Sequence, residues 1–341
     1  MTRKELTIIE VPNAPSIPGL FFRGYRGAED HAILASLINA ANEADGVPEA
    51  IGAEDVAHFL TNPRNMDLAK DVMVAEVNGV PACYSRVFWQ DEAEGDHISA
   101  RIYGSRCNTH PRWRRKGLGA PILAWMEARI RQIAAGHPAE IPKFFQVVIV
   151  EKQAGAAVLL KQFGYQPTRH FFQMSRWLAE ELPVPAFPPG LELRPVEPGH
   201  MRTIWDAMEE AFLDHWGFTP RSDQDFQKWL KQPNTDVGLW KVAWDGDQVA
   251  GLSLNYVYSK EKEKLGFLQA WTEPICVRRP WRQRGLARAL LLASHNEMKG
   301  GGIQVASLEV DAQNPNQALH LYESCGYQIK VRRDLYRKAL T

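Results

Sequence analysis

The sequence predicts an α+β protein built twice over. It reads as two tandem domains of mixed strands and helices, residues 1–180 and 191–341, joined by a proline-rich linker at 181–190. Three observations predict this. A basic, glycine-containing stretch occurs in each half, as THPRWRRKGLGA over 109–120 and VRRPWRQRGLAR over 277–288. Arg114 and Arg282, and Gly117 and Gly285, are each 168 positions apart (282 − 114 and 285 − 117). A second echo follows each copy, VLLKQFGYQ at 158–166 and HLYESCGYQ at 320–328, with Gly164 and Gly326 aligned. Finally, strand and helix patterns come in the same order in both halves. Motifs repeated in one order at nearly one spacing are the signature of an internal duplication.

In the first half, a strand at LFFRGYRG precedes a helix from Glu29 through HAILASLINAANEA and a shorter one at AEDVAHFL. Strands DVMVAEVNG and VPACYSRVFWQ meet at Asn78-Gly79, a pair suited to a tight hairpin. The strand HISARIYGSRCNTH then enters the basic stretch and the helix LGAPILAWMEARIRQIAA. There Ile122, Leu123, Met126 and Ile130 recur at helical spacing and should face a sheet. Strand FFQVVIV, a helix over Ala154 to Phe163 and a last strand near FFQMSRWL complete this half. Five prolines between Leu182 and Pro195 forbid a continuing helix or central strand, which places the linker. The second half repeats the order with strand LELRPV, helices MRTIWDAMEEAF and DQDFQKWL, and strands GLWKVAWDG and QVAGLSLNYVYS turning at Asp245-Gly246. The strand ending at Val277, a helix LARALLLASHNEMK, strand ASLEVDA, a helix from Pro315 to Ser324 and closing strands at YQIKV and DLYRKAL follow.

Composition narrows the function classes. The 341 residues suit two ordinary cores, and Lys plus Arg equals Asp plus Glu at 40 each. The basic residues gather at the two turns, so no nucleic-acid partner is expected. Cys83, Cys107, Cys276 and Cys325 form no CxxC pair, which fits a reducing cytoplasm. No apolar run of membrane-spanning length occurs, so no membrane association is expected.

The basic stretch is a phosphate cradle by its chemistry. The first turn of a helix offers unpaired N–H groups and partial positive charge, so an anion belongs there. Gly285 lets a ligand approach the backbone, Ala287 keeps the next turn small, and Arg282, Arg284 and Arg288 add charge. Gln283 and Leu286 complete this turn, and Arg115, Lys116, Leu118 and Gly119 complete its counterpart around Arg114 and Gly117.

The order strand, RxxGx(G/A), helix, strand, then NxxxALxLYxxxGY resembles the GCN5-related N-acetyltransferases. Two copies in one chain resemble its tandem members, such as the mycothiol synthases. The second copy carries the pattern through Val277, Arg282, Gly285, Ala287, Asn314, Ala318, Tyr322, Gly326 and Tyr327, while the first is good at the phosphate turn and poor downstream. The resemblance implies that each domain is a mixed, mostly antiparallel sheet flanked by helices, with acetyl-CoA as acyl donor. It implies a splayed strand at Ile275, Cys276 and Val277 whose backbone holds the pantetheine arm, with Cys107, Asn108 and Thr109 as counterparts. It further implies Tyr322 as the acid that protonates the departing thiolate and Asn314 as an arm contact, unless Asn314 merely caps its helix.

For the base, Glu273 is preferred over Glu309, with Asp311 a third possibility; solvated strand-face acids are the alternative. Asp214, His215 and Trp216 lie where such proteins build an acceptor pocket, or else pack on one another. No second His stands at ligand spacing, so no metal is expected. In the first copy Leu160 replaces Tyr322 and Ser105 aligns with Glu273, so that copy reads as degenerate, a binding or scaffolding domain. The leading reading is an acetyl-CoA-dependent N-acetyltransferase that delivers acetyl to the primary amine of a small molecule by direct attack on the thioester. The alternatives are a non-catalytic acyl-CoA sensor or scaffold, and an acetyltransferase of protein amines. Two domains in one chain are compatible with a monomer.

Overall fold

The computed structural model describes residues 7–61, 63, 65–94, 97–179, 181–232, 235–257, 265–314 and 316–341. It divides into two compact units. The first takes the described residues of Met1–Glu92, Ile98–Arg169 and Arg333–Thr341, and the second those of Ala93–His97 and His170–Arg332.

Unit 1 begins with β1 (Leu20–Arg23), α1 (Ala28–Asp45), α2 (Ala53–Thr61) and α3 (Leu68–Asp71). It continues with β2 (Val72–Val77), β3 (Val80–Glu94), β4 (His97–Thr109), α4 (Gly119–Ala134), β5 (Lys143–Val150) and α5 (Ala154–Gln162). Its strands run in the order β1-β2-β3-β4-β5, antiparallel at β1–β2 and β2–β3 and parallel at β4–β5. The hairpin at Asn78-Gly79 has positive φ at both residues, 51° and 77°, as a type I′ turn requires. Ile122, Leu123, Met126 and Ile130 of α4 are buried in a core with Met73, Tyr103 and Phe145, so the periodicity correctly marks the sheet-facing stripe.

Unit 2 contains β6 (Gln166–Trp177, from His170 onward), β7 (Glu192–Leu193), α6 (Met201–Phe212) and α7 (Asp223–Leu230). Then come β8 (Lys241–Asp245), β9 (Gln248–Val257), β10 (Gln269–Val277), α8 (Leu286–Gly300), β11 (Val305–Asp311) and α9 (Ala318–Ser324). Its strand order is β6-β11-β10-β9-β8-β7, parallel at β10–β11 and antiparallel at β6–β11, β10–β9, β9–β8 and β8–β7. This is the unit 1 pattern again. Helix α6 buries Ile204, Trp205, Ala207, Met208 and Ala211 in one core with Leu252 and Leu254 of β9.

Three expectations need correction. Asp245 pairs with Gln248, so the central turn residues are Gly246 and Asp247. Only Gly246 has positive φ, the type II′ arrangement, and it stands 168 positions after Asn78. The two closing strands are one, β12 (Gln328–Ala339). The units also do not divide at the proline-rich linker. Residues Phe171–Trp177, expected to finish the first domain, pair with β11, whereas Arg333–Ala339 pair antiparallel with β5 and belong to unit 1. Each unit's sixth strand thus comes from the other half of the sequence. Alternation sets which face of a strand is buried, but not which ladder it joins. Pro315 and the strand end at Tyr258 and Ser259 lie outside the described residues.

This assignment has a measurable consequence. Leu335 is buried and lies opposite Val148 of β5. Leu335→Ala should cost about 2–5 kcal/mol in urea unfolding, with hydrogen-exchange protection falling first along β5.

Candidate active site

Strand β10 ends at Val277, a one-turn 3-10 helix covers Arg279–Trp281, and α8 starts at Leu286. Between them Gln283 and Gly285 adopt left-handed backbone, φ 60° and 83°. In unit 1 the equivalents are Arg115 and Gly117, φ 62° and 84°. No heavy atom lies within 4 Å of where a Cβ on Gly285 would sit. The α8 terminus that it begins has no side-chain cap. Helix α4 starts one residue later than its counterpart because Pro121 cannot donate to the Gly117 carbonyl.

Arg282 does not reach toward a phosphate. Its Nε donates to the Val277 carbonyl (2.9 Å), Nη1 to Asp214 Oδ2 (2.8 Å) and Nη2 to the Ala211 carbonyl (3.1 Å). Asp214 also accepts from Arg279, so it braces the turn instead of meeting an acceptor. These hydrogen bonds, that of Arg279 first and then that of Arg282, hold its carboxyl well below the usual range against the cost of burial. Unit 1 repeats the brace: Arg114 donates to the Thr109 carbonyl (3.2 Å) and to both oxygens of Asp45 (2.6 and 2.9 Å). Outside the brace, Arg284 and Arg288 are exposed at the second turn, the latter donating to Ser324 Oγ (2.7 Å). Leu286 and Leu118 are buried anchors of their helices.

Parallel pairing of β10 with β11 runs from Gln269↔Val305 to Trp271↔Ser307 and stops, although both strands continue. On its other edge, β10 pairs Thr272 with Asn255 and Ile275 with Ser253, so Glu273 and Pro274 bulge opposite one residue. The Arg278 amide donates to Ala250 (3.0 Å), and alternation therefore turns the Ile275 and Val277 amides away from β9. The same alternation turns the Cys276 amide toward β9, so of the three expected amides it does not share the orientation of Ile275 and Val277. The Cys276 thiol is buried and pushed up to about 12, burial being the main cause.

A cavity of about 450 Å³ lies at this split, lined by Thr272–Ile275 of β10, Glu309–Asp311 of β11, and Asn314 and Tyr322. Tyr322 is 7% exposed, and burial raises its phenol well above the ordinary value. The Asn314 side chain also accepts from the Asn316 amide (2.9 Å), a turn-forming bond before α9. His215 and Trp216 line the cavity; His215 packs on Phe212 with ring centroids 4.3 Å apart, and burial lowers its pKa so that the neutral imidazole prevails. The anticipated loop trio is therefore split, with Asp214 in the brace and its neighbours in the cavity wall.

Sequence reading missed Phe171, Met208, Arg221, Trp229, Gln232, Tyr256 and Trp271, which also line the cavity. They converge from distant segments, and the one local signal was Pro274, whose missing amide marks a bulge inside a strand. Behind the bulge Thr272 Oγ1 donates to Asn255 Oδ1 (2.8 Å), Asn255 to Ser294 Oγ (3.1 Å), and Ser294 to Ser253 Oγ (2.9 Å), all buried.

In unit 1, β4 and β5 likewise pair only as far as Ser105↔Val147, leaving Cys107, Asn108 and Thr109 beyond the ladder. There Leu160 is buried in the core, Pro15 lies against Gly117 and Leu159 against Gly119, at 3.3 and 3.0 Å from a built Cβ. Among the described residues no group of three or more His, Cys, Asp or Glu could hold a metal ion, and no helix is long and apolar enough to cross a membrane.

The brace predicts a pH effect. A carboxyl held low stabilises the fold fully above its unfolded value, about 3.9, and loses that contribution as pH falls through the lower folded value. Asp214→Asn should therefore lower stability at neutral pH and flatten the acid limb of a stability–pH curve. An unchanged limb would remove the brace from the account.

The comparisons agree with this geometry. Residues 201–327 match the Acetyltransferase (GNAT) family model. The mycothiol acetyltransferase of Thermobispora bispora is 27% identical, covering 91% of this chain and 96% of that protein. That of Kineococcus radiotolerans is 28% identical, covering 87% and 89%. A GCN5-related N-acetyltransferase from Sphaerobacter thermophilus superposes with TM-score 0.74 at 29% identity, covering 97% of both chains. A tandem GNAT protein from the clavulanic acid biosynthesis pathway shares the fold, with TM-score 0.64 at 14% identity, covering 94% of this chain and 98% of that one. Duplicated turn, split ladder and these likenesses together make the chain a member of the GNAT acetyltransferases, an N-acetyltransferase with two GNAT folds in tandem.

Proposed function

We propose that the chain is an acetyl-CoA-dependent N-acetyltransferase whose second unit delivers acetyl to a primary amine of a small molecule by direct attack. The split between β10 and β11, with Tyr322 and carboxylates at its mouth, carries this reading. The residues fit a CoA thioester. The open Gly285 turn, α8 amides, Arg284 and Arg288 suit the pyrophosphate, and the Ile275 and Val277 amides suit the arm and the acyl oxygen. Acetyl-CoA would supply the activated acetyl group and a thiolate leaving group. Tyr322, kept protonated by burial, supplies a proton at the sulfur. Glu273, on the bulge, takes the amine's proton directly or through water, with Glu309 and Asp311 on the facing strand as alternatives. Direct transfer is favoured over a Cys276 acyl-enzyme because that thiol is buried and held protonated.

The acceptor pocket combines Glu273, Glu309 and Asp311 with Phe212, Trp216, Trp229, Tyr256 and Trp271. Its one arginine, Arg221, is paired with Glu209 (3.3 Å). Such a lining attracts a cationic amine and stacks its apolar part. The relatives' name, mycothiol acetyltransferase, supports an acceptor of that type as a specific version. Unit 1 acts as a scaffold, its turn covered by Pro15 and its acid replaced by Leu160. The domain limits 1–180 and 191–341 remain useful only as the extents of the two sequence copies.

Calorimetry with acetyl-CoA should give one equivalent per chain; two would assign binding to unit 1 as well, and none would favour a scaffold. Gly285→Glu should abolish that binding. Tyr322→Phe should lower kcat by about 10²-fold or more with acetyl-CoA affinity retained. Full turnover in that variant would assign the proton to another group.

A further inference from the structure

Cys83 on β3 and Cys107 on β4 bring their sulfurs to 3.2 Å in unit 1. The His110 amide donates to the Ala82 carbonyl (2.9 Å), so the register sets Cys83 opposite Thr109, with Cys107 two positions along on the same face. Thr109 Oγ1 donates to the Cys83 sulfur (3.5 Å) and lies 3.8 Å from that of Cys107. Cys107 is exposed and Cys83 is buried. The hydrogen bond from the Cys83 thiol draws Cys107 below the ordinary thiol range, outweighing desolvation, with Thr109 and Arg114 helping. Cys83 is raised by the same bond and by burial. Cys276 and Cys325 are buried and raised, chiefly by burial. Cys107 is thus an exposed residue whose thiol is drawn down and has a second sulfur 3.2 Å away.

We propose that Cys107 and Cys83 are a dithiol site for low-molecular-weight disulfides, with Cys107 attacking and Cys83 resolving. The Cys107 thiolate attacks one sulfur of R–S–S–R; a Cys107–S–S–R bond forms, the R–S–S–R bond breaks, and RS⁻ leaves and takes up a proton. The Cys83 thiol then loses its proton to solvent and attacks the Cys107 sulfur. The internal bond forms and the second RS⁻ leaves and is protonated. Two protein thiols are oxidised and one disulfide is reduced to two thiols. Closing from 3.2 Å to the roughly 2.05 Å of a bridge draws diagonal neighbours together.

The test uses the reduced full-length protein and oxidised glutathione. The expected product has lost two hydrogens, with one Cys83–Cys107 linkage by peptide mapping that dithiothreitol reverses. Cys83→Ser should stop at a glutathione adduct on Cys107, and Cys107→Ser should show neither product. Independently of these variants, iodoacetamide should alkylate Cys107 in the native chain at least about tenfold faster than Cys83, Cys276 or Cys325. Adducts on another cysteine first, an adduct on Cys107 that never resolves, or no reaction at all would each overturn the assignment.

Discussion

The bond between Arg282 and Asp214 is the constraint on which the second unit's site depends. The turn from β10 into α8 must pass through two left-handed residues, a conformation an L-residue such as Gln283 adopts only when its surroundings hold it. Arg282 supplies that hold by tying the strand end at Val277, the helix end at Ala211 and the carboxylate of Asp214 to one planar fork. With the turn braced, Gly285 leaves the α8 terminus uncovered. The charge of Arg282, expected at a phosphate, instead shapes the turn itself.

A second constraint acts on the strand. The β10–β11 ladder parts after Trp271, and the cavity opens between the two strands at that point. The Glu273–Pro274 bulge sets the Glu273 carboxylate in the cavity wall, and the Thr272–Asn255–Ser294–Ser253 network stiffens the strand behind it. That network is built from buried hydroxyls and one amide, and carries no charge.

The first unit shows what a duplication keeps and discards. It keeps the brace, through Arg114 and Asp45, and the parted ladder beyond Ser105, because both are needed for the turn to fold. It has replaced the acid by buried Leu160 and laid Pro15 over the turn. The strand end beyond its parted ladder carries Cys107, within reach of Cys83.

Much of this was determined by the sequence alone. Spacing of RxxGx(G/A) and the later GYQ echo pointed to the duplication and the strand–turn–helix joint, because these depend on residues near one another in the chain. Local chemistry also implied the tight turn at Asn78-Gly79 and the stripe of α4. Only tertiary structure decided that Arg282 and Asp214 brace each other across 68 positions, that Asp45 does the same for Arg114, and that His215 and Trp216 part from Asp214. It alone decided which ladder the sixth strands join, and gathered Trp229, Tyr256 and Trp271 around the cavity. Periodicity reports which side of an element is buried; the identity of the neighbour is settled by packing between segments far apart in sequence.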